Sequence, residues 1–283
     1  MKFNGATSST ALEIASTRQF RQIVWNYYKK HGRHDLPWRK THNPYHVLVS
    51  EIMLQQTQVD RVIPYFRSWL LAFPTVRALA KAPLSKVLRH WQGLGYNRRA
   101  KMLHESAKAI AAHHKGRMPS ELTELEALRG VGPYTARAVM AFAYNKDTVF
   151  VETNIRTVIM HHFFSKRKKV DDKEILSVLE KAYPKGNGRE WYSALMDYGA
   201  YLKRSGVKLN ARAKGYAKQS AFKGSGREVR GAIIKALTER PRTKTFLLNV
   251  LGTKRYLQSE AQLQKLVQEG MIEQNKNVYR LPS

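Results

Sequence analysis

The feature that most constrains this chain is the run Leu128-Arg129-Gly130-Val131-Gly132-Pro133-Tyr134-Thr135-Ala136. An apolar helical run, Leu122 to Leu128, leads in, and a second, Thr135 to Phe142, leads out. Between them two glycines permit backbone angles that a side chain forbids. Pro133 suits the first turn of the helix that follows. The pattern predicts two helices joined by a turn that presents bare N–H groups, and such groups beside a helix N-terminus suit an anion, phosphate above all. Taken alone, the same turn also fits an ordinary corner between two helices.

Composition narrows the partner. The 283 residues suffice for one large or two modest domains, and 43% are hydrophobic, enough for a packed core. The formal net charge of +29 points to a polyanion. An anionic membrane is the other basic-protein partner, but the sequence has no long apolar segment and no signal-peptide pattern. It has no cysteine, so disulfides and thiolate metal sites are excluded.

Apolar spacing predicts helices over Arg18 to Lys30, Pro44 to Leu54, Ile63 to Ala72, Leu84 to Trp91, Arg98 to His113, Leu122 to Leu128 and Thr135 to Tyr144. Asn154 to His162, Lys173 to Ala182 and Glu190 to Leu202 continue the series, and no strand is expected before residue 205. Residues 1–17 are small and polar and read as a flexible tail, ahead of a helical domain over residues 18–205. Residues 206–226 hold Lys208, Arg212, Lys214, Lys218 and Lys223 with no acid, and read as a basic linker or mobile arm. Over residues 227–283, three short helices (Val229 to Leu237, Phe246 to Leu251, Ser259 to Glu269) precede a hairpin turning at Asn275 to Asn277. That order resembles a winged helix, a module that binds duplex DNA or other proteins.

Further motifs stand around the glycine turn. Upstream are Leu36-Pro37-Trp38-Arg39, Ser50-Glu51-Ile52-Met53-Leu54-Gln55-Gln56-Thr57-Gln58-Val59 and Gly93-Leu94-Gly95-Tyr96, and downstream is Val151-Glu152-Thr153-Asn154-Ile155. In this order, over roughly Phe20 to Leu202, they resemble the helix-hairpin-helix (HhH-GPD) DNA glycosylases, most nearly the MutY-type adenine DNA glycosylases. The resemblance implies a mainly α, two-lobed fold with the winged-helix-like module appended. It also implies a monomeric, intracellular enzyme of base excision repair acting on double-stranded DNA.

Breaking an N-glycosidic bond requires protonation of the departing base and stabilisation of the cation that grows on the sugar. Two carboxylates divide this work when their surroundings push their pKa values apart. By resemblance Glu51 is the acid that protonates the base and positions water. Glu152 falls where the family has an aspartate that stabilises or traps the sugar cation, and Asn154 supports it. The glutamate is one methylene longer, and misplacement on the order of 1 Å can cost about a hundredfold in rate. Tyr134 falls where strand-cutting relatives have a Schiff-base lysine, so monofunctional hydrolysis is expected. Gln55, Gln56, Thr57 and Tyr96 match segments that intercalate and wedge the strand when the base is flipped. Arg98, with Arg99 and Lys101, stands beside them for phosphates. Leu128, Arg129, Gly130, Val131, Gly132 and Thr135 match the DNA-contacting hairpin, and Trp38, Arg39 and Ser193 match the base pocket.

Departures from the family leave the substrate open. The iron–sulfur cluster usual in the family cannot form, and Lys203 stands where its first cysteine would fall; no cofactor is expected. His34 replaces a frequent arginine, Ser193 replaces a glutamate that contacts adenine, and no β-rich 8-oxoguanine-recognition domain follows. Adenine opposite 8-oxoguanine or guanine is the first expectation, thymine or uracil opposite guanine the second, and a DNA-structure-binding protein with weak or no catalysis the third. Trp191, Leu195, Tyr198 and Tyr201 are expected to pack the region that the cluster would otherwise hold.

Overall fold

The computed structural model describes the backbone of residues 6–214 and 221–283, and side chains from Ser16 onward. The chain is helical and falls into two compact units, Met1–Pro44 with Pro133–Lys218, and Tyr45–Gly132 with Gln219–Ser283.

The first unit contains α1 (Ala6–His31), α8 (Pro133–Phe142), α9 (Thr153–Phe163), α10 (Asp172–Ala182) and α11 (Gly188–Arg204). Helix α1 begins well before Arg18, within the stretch expected as a tail; residues 1–5 lie outside the described residues. Its core joins Phe20 and Val24 of α1, Ile155 and Ile159 of α9, Leu179 of α10, and Trp191 and Leu195 of α11. Of the four residues expected to pack this region, Trp191, Leu195 and Tyr198 are buried. Tyr201 is 43% exposed, because it lies on the outer side of α11, where its ring meets Tyr27 at 5.1 Å.

The expected mobile arm is tied down as far as Lys214. Val170 and Ala213 form a bridge, Asn210 Nδ2 donates to Thr157 Oγ1 at 2.9 Å, and Lys214 Nζ pairs with Asp171 at 3.0 Å. Residues 215–220 of that stretch lie outside the described residues.

The second unit contains α2 (Pro44–Leu54), α3 (Val59–Ala72), α4 (Val76–Lys81), α5 (Leu84–Trp91), α6 (Arg98–His113) and α7 (Leu122–Glu126). Trp69 and Trp91 meet edge to face at 5.4 Å in its centre, both fully buried. The same unit contains α12 (Gly226–Glu239), β1 (Arg242–Thr243), α13 (Lys244–Leu248), α14 (Tyr256–Gln268), β2 (Glu273–Asn275) and β3 (Val278–Arg280). The strands form one antiparallel sheet in the order β1-β3-β2, the wing and helices of a winged-helix module. This module is not a separate body. Ser85 N–H donates to Pro282 O at 3.0 Å, Arg89 Nε donates to Thr238 O at 3.2 Å, and Lys101 Nζ donates to Glu269 O.

Candidate active site

The glycine turn is built as its sequence requires. Leu128 and Val131 are buried and anchor it, and Val131 N–H donates to Leu128 O at 3.1 Å. Arg129 O accepts from Ser106 Oγ at 2.6 Å, while Arg129, Gly130 and Gly132 face outward. Gly130 has φ +77, and an added Cβ would stand 2.7 Å from Met102 Cβ, so no other residue fits without strain. Helix α8 then starts on Pro133, which suits the first turn of a helix. Leu128, Val131 and Thr135, expected among the DNA contacts, have buried side chains. These side chains hold the turn in place, which leaves contact with a phosphate to the backbone, the kind of contact expected of this turn.

Glu51 lies on α2 at 6% exposure, among buried Val47, Leu48, Ile52 and Met53. It is therefore not an exposed helix glutamate of the ordinary solvated kind. Val47, Leu48, Ile52 and Met53 thus surround this carboxyl with apolar side chains of its own helix.

Past α2 the chain turns through Gln55, Gln56 and Thr57. Arg99 holds this turn. Its guanidinium donates to the carbonyls of Ile52 at 2.9 Å, Met53 at 3.0 Å and Gln55, and to Thr57 Oγ1 at 3.1 Å. It also reaches Leu94 O at 3.3 Å and Gly95 O at 3.2 Å. Burial pushes its pKa down to about 10, still a cation at neutral pH. The cation therefore serves the orphan carbonyls at the C-terminus of α2 and locks the glutamine turn to the Gly93–Tyr96 loop. This corrects the expectation that Arg99 meets phosphates. Lys101 is likewise engaged, with Glu269 O and with Glu105 at 3.5 Å. Arg98 remains exposed. Gln56 at φ +57 and Tyr96 at φ +47 both occupy the left-handed region. Left-handed residues thus occur in both expected wedge segments, as they also do at Lys115, Asn145 and Lys276 elsewhere.

In the first unit, Glu152 is the N-cap of α9. Its Oε1 accepts from Asn154 N–H at 2.5 Å and Ile155 N–H at 2.8 Å, so the extra methylene is taken up by curling onto the helix start. Burial raises its pKa, and those two N–H groups with the Lys203 and Arg156 cations oppose the rise. Asn154 Nδ2 donates to Glu152 Oε2 at 3.3 Å, and Asn154 Oδ1 accepts from Lys203 Nζ at 3.1 Å. A thiolate-held cluster does not fit this corner: the residue at its first ligand position is a lysine spent on Asn154. Gly199 lets α11 come close here, since a Cβ would stand 2.3 Å from Asn154 O.

Arg39, expected in the base pocket, donates to both oxygens of buried Asp197, at 2.7 Å and 2.9 Å, and to Ser193 O at 3.3 Å. Its guanidinium is consumed by this ion pair, because Asp197 in a buried setting requires a charged partner. Trp38 is partly exposed on the single turn Pro37–Arg39, and Ser193 is buried. Tyr134 meets Phe150 edge to face at 5.5 Å. It borders a cavity that Val151, Arg137, Asp172 and Tyr183 also line. Glu51, the glutamine turn, Tyr96 and the glycine turn thus belong to one unit, and Tyr134, Glu152, Asn154, Arg39 and Ser193 to the other.

Comparison with known proteins gives the class to which a helical fold with this glycine turn, a buried helix glutamate and an acid capping a later helix belongs. The family model described as HhH-GPD superfamily base excision DNA repair protein matches residues 49–185. An adenine DNA glycosylase of Mycolicibacterium smegmatis is 34% identical over 264 residues, 86% of this chain and 89% of the relative. Another, of Buchnera aphidicola subsp. Baizongia pistaciae, is 32% identical over 249 residues, 86% of this chain and 69% of the relative. A third, of Buchnera aphidicola subsp. Acyrthosiphon pisum, is 36% identical over 187 residues, and the match spans 53% of that relative's length. The chain belongs to the HhH-GPD superfamily. Among solved structures, a thermostable thymine-DNA glycosylase aligns with a TM-score of 0.61 at 25% identity, covering 70% of this chain and 95% of that one. A non-covalent endonuclease III–DNA complex aligns with a TM-score of 0.58 at 19% identity, a likeness of fold, covering 69% of this chain and 91% of that one.

Proposed function

We propose that the chain is a monofunctional DNA glycosylase that removes a flipped-out adenine mispaired with 8-oxoguanine or guanine. The observation that carries this reading is Glu51, buried on α2 within the span matched by the base excision DNA repair family model, in a chain similar to relatives named adenine DNA glycosylases. In this reading the Glu51 carboxyl protonates the departing base as the C1′–N bond breaks. The resulting carboxylate then takes a proton from the water that adds to C1′. Glu152, whose carboxylate is oriented at the start of α9, has the role of stabilising the sugar cation that the family resemblance implies. Tyr134 has no amine for a Schiff base, so the product is an abasic site with the strand intact. The reaction runs without an iron–sulfur cluster, as a chain with no cysteine requires. Duplex DNA is the partner that the net charge of +29 supports.

A second reading, removal of thymine or uracil opposite guanine, is favoured by Ser193 in place of a glutamate and by the 25% identity to a thymine-DNA glycosylase. Single-turnover base release separates the two. Matched duplexes carry A opposite 8-oxoguanine, A opposite G, T opposite G and U opposite G, each read before and after alkali. Release confined to the adenine duplexes and seen only after alkali is expected. Release confined to T or U moves the substrate to pyrimidines, and cleavage without alkali overturns the monofunctional reading.

A further inference from the structure

Tyr96 is one of the residues at which the winged-helix module and the rest of the second unit meet. Its ring is in contact with two guanidinium groups. Arg99 of the core stands 5.4 Å from the ring centroid, and Arg227, at the start of α12, stands 5.1 Å from it. Arg227 Nη1 also donates to the tyrosine hydroxyl, and its Nη2 donates to Ala221 O at 3.2 Å. The start of α12 is itself braced: Arg255 pairs with Glu228 at 2.6 Å and donates to Ser225 O at 3.3 Å. The module is fixed to α5 and α6 by Arg89, Ser85 and Lys101, as described above. Tyr96 meanwhile keeps φ +47, a backbone state that needs support from its surroundings.

These contacts are specific in kind. A guanidinium over an aromatic face combined with a hydrogen bond to the phenol restricts both the tilt and the spin of the ring. Exposed arginines placed for phosphates do not make such contacts, and Arg98 beside them shows the difference. Arg99 fixes the loop from within. Arg227 fixes the ring from outside, and it comes from the winged-helix module.

We propose that Arg227 is a positioning residue for base opening: through this guanidinium the C-terminal module holds Tyr96 in its wedge orientation, so module and wedge meet the duplex as one piece. The inference rests on the glycosylase reading only in that Tyr96 enters the base stack. Arg227 touches neither the departing base nor the sugar in this scheme.

The test is a double-mutant cycle on the full chain, using a mispaired duplex with 2-aminopurine beside the mispair as the reporter of unstacking. Arg227→Gln is expected to slow the fluorescence rise and single-turnover base release by about tenfold each, with a smaller change in duplex affinity. Arg227→Lys, which keeps the charge but loses the planar stack, is expected to fall between. In a Tyr96→Ala background, Arg227→Gln is expected to add nothing. Equal effects of Arg227→Gln in both backgrounds would mean a phosphate contact or a loss of fold, and would overturn the proposal. So would an unaltered fluorescence rise in Arg227→Gln, or in Tyr96→Ala. Absence of base release by the wild type from every duplex would remove the glycosylase reading, while the fluorescence cycle would still decide the role of Arg227.

Discussion

Asp197 is buried between Arg33 and Arg39, with ion-pair distances of 2.6 Å and 2.7 Å. Burial alone would raise its pKa, but hydrogen bonds and charge from Arg39, followed by Arg33, outweigh it and hold the carboxyl below the usual range. A folded pKa below the unfolded value gives stability that is present above about pH 4 and lost as pH falls through the folded value. Asp197→Asn strands two cations and is expected to cost about 3 kcal/mol in urea unfolding at pH 7. A cost under about 0.5 kcal/mol would show that solvent screens the cluster. Nothing in sequence distinguished Asp197 from other helix acids, because its partners are more than 150 residues away in the chain. The motif arginine was legible, but its engagement was not. Glu152 offers the complementary lesson. Its identity was legible as a departure, and its function as an N-cap was hidden because aspartate, not glutamate, is the usual cap. Glu152→Asp is expected to retain base release, measured by single-turnover kinetics. Complete loss would mean that the loop before α9 has been rebuilt around the longer side chain. Because burial raises the pKa of Glu152, the acid limb of the rate profile is expected to lie above the ordinary glutamate range, if ionised Glu152 is the working form. Activity falls as pH drops through that raised value.

At the scale of elements, the glycine turn gives a paired test. Gly130→Ala meets both a left-handed backbone and Met102 Cβ at 2.7 Å, and is expected to cost about 1–2 kcal/mol. Gly132→Ala meets nothing within 4 Å and is expected to be near neutral in stability. Thermal unfolding of both variants checks the contrast, and equal costs would contradict it. Helices α2, α5 and α6 were legible to the residue, since apolar spacing and flanking proline or glycine coincide there. Helix α4 was missed because its six residues are too few to show a period. Strand β1 was missed because two residues carry no alternation, and its pairing with Thr243 opposite Val278 is non-local. The early start of α1 was missed because Ala, Leu and Glu favour helix even where the pattern looks like a tail.

At the scale of the molecule, composition had already named the kind of partner. A net charge of +29 implies that binding to a duplex is dominated by counterion release. If about six phosphates are neutralised, affinity is expected to fall about a thousandfold between 50 and 200 mM salt. A flat salt dependence would contradict a backbone-led interface. What composition could not give is the attachment of the winged-helix module to α5 and α6, which depends on contacts such as Arg89 with Thr238. Truncation at residue 226 therefore disturbs the unit that holds Glu51 and Tyr96. Point variants, rather than deletions, separate chemistry from binding in this chain.

The central claim is that Glu51 performs the chemistry. Its most direct test is single-turnover release of adenine opposite 8-oxoguanine by the wild type and by Glu51→Gln, with duplex affinity measured in parallel. The variant is expected to lose about a thousandfold in rate, the scale of a removed general acid, while binding the duplex as the wild type does. Release at the wild-type rate by Glu51→Gln would contradict it and would place the proton transfer elsewhere.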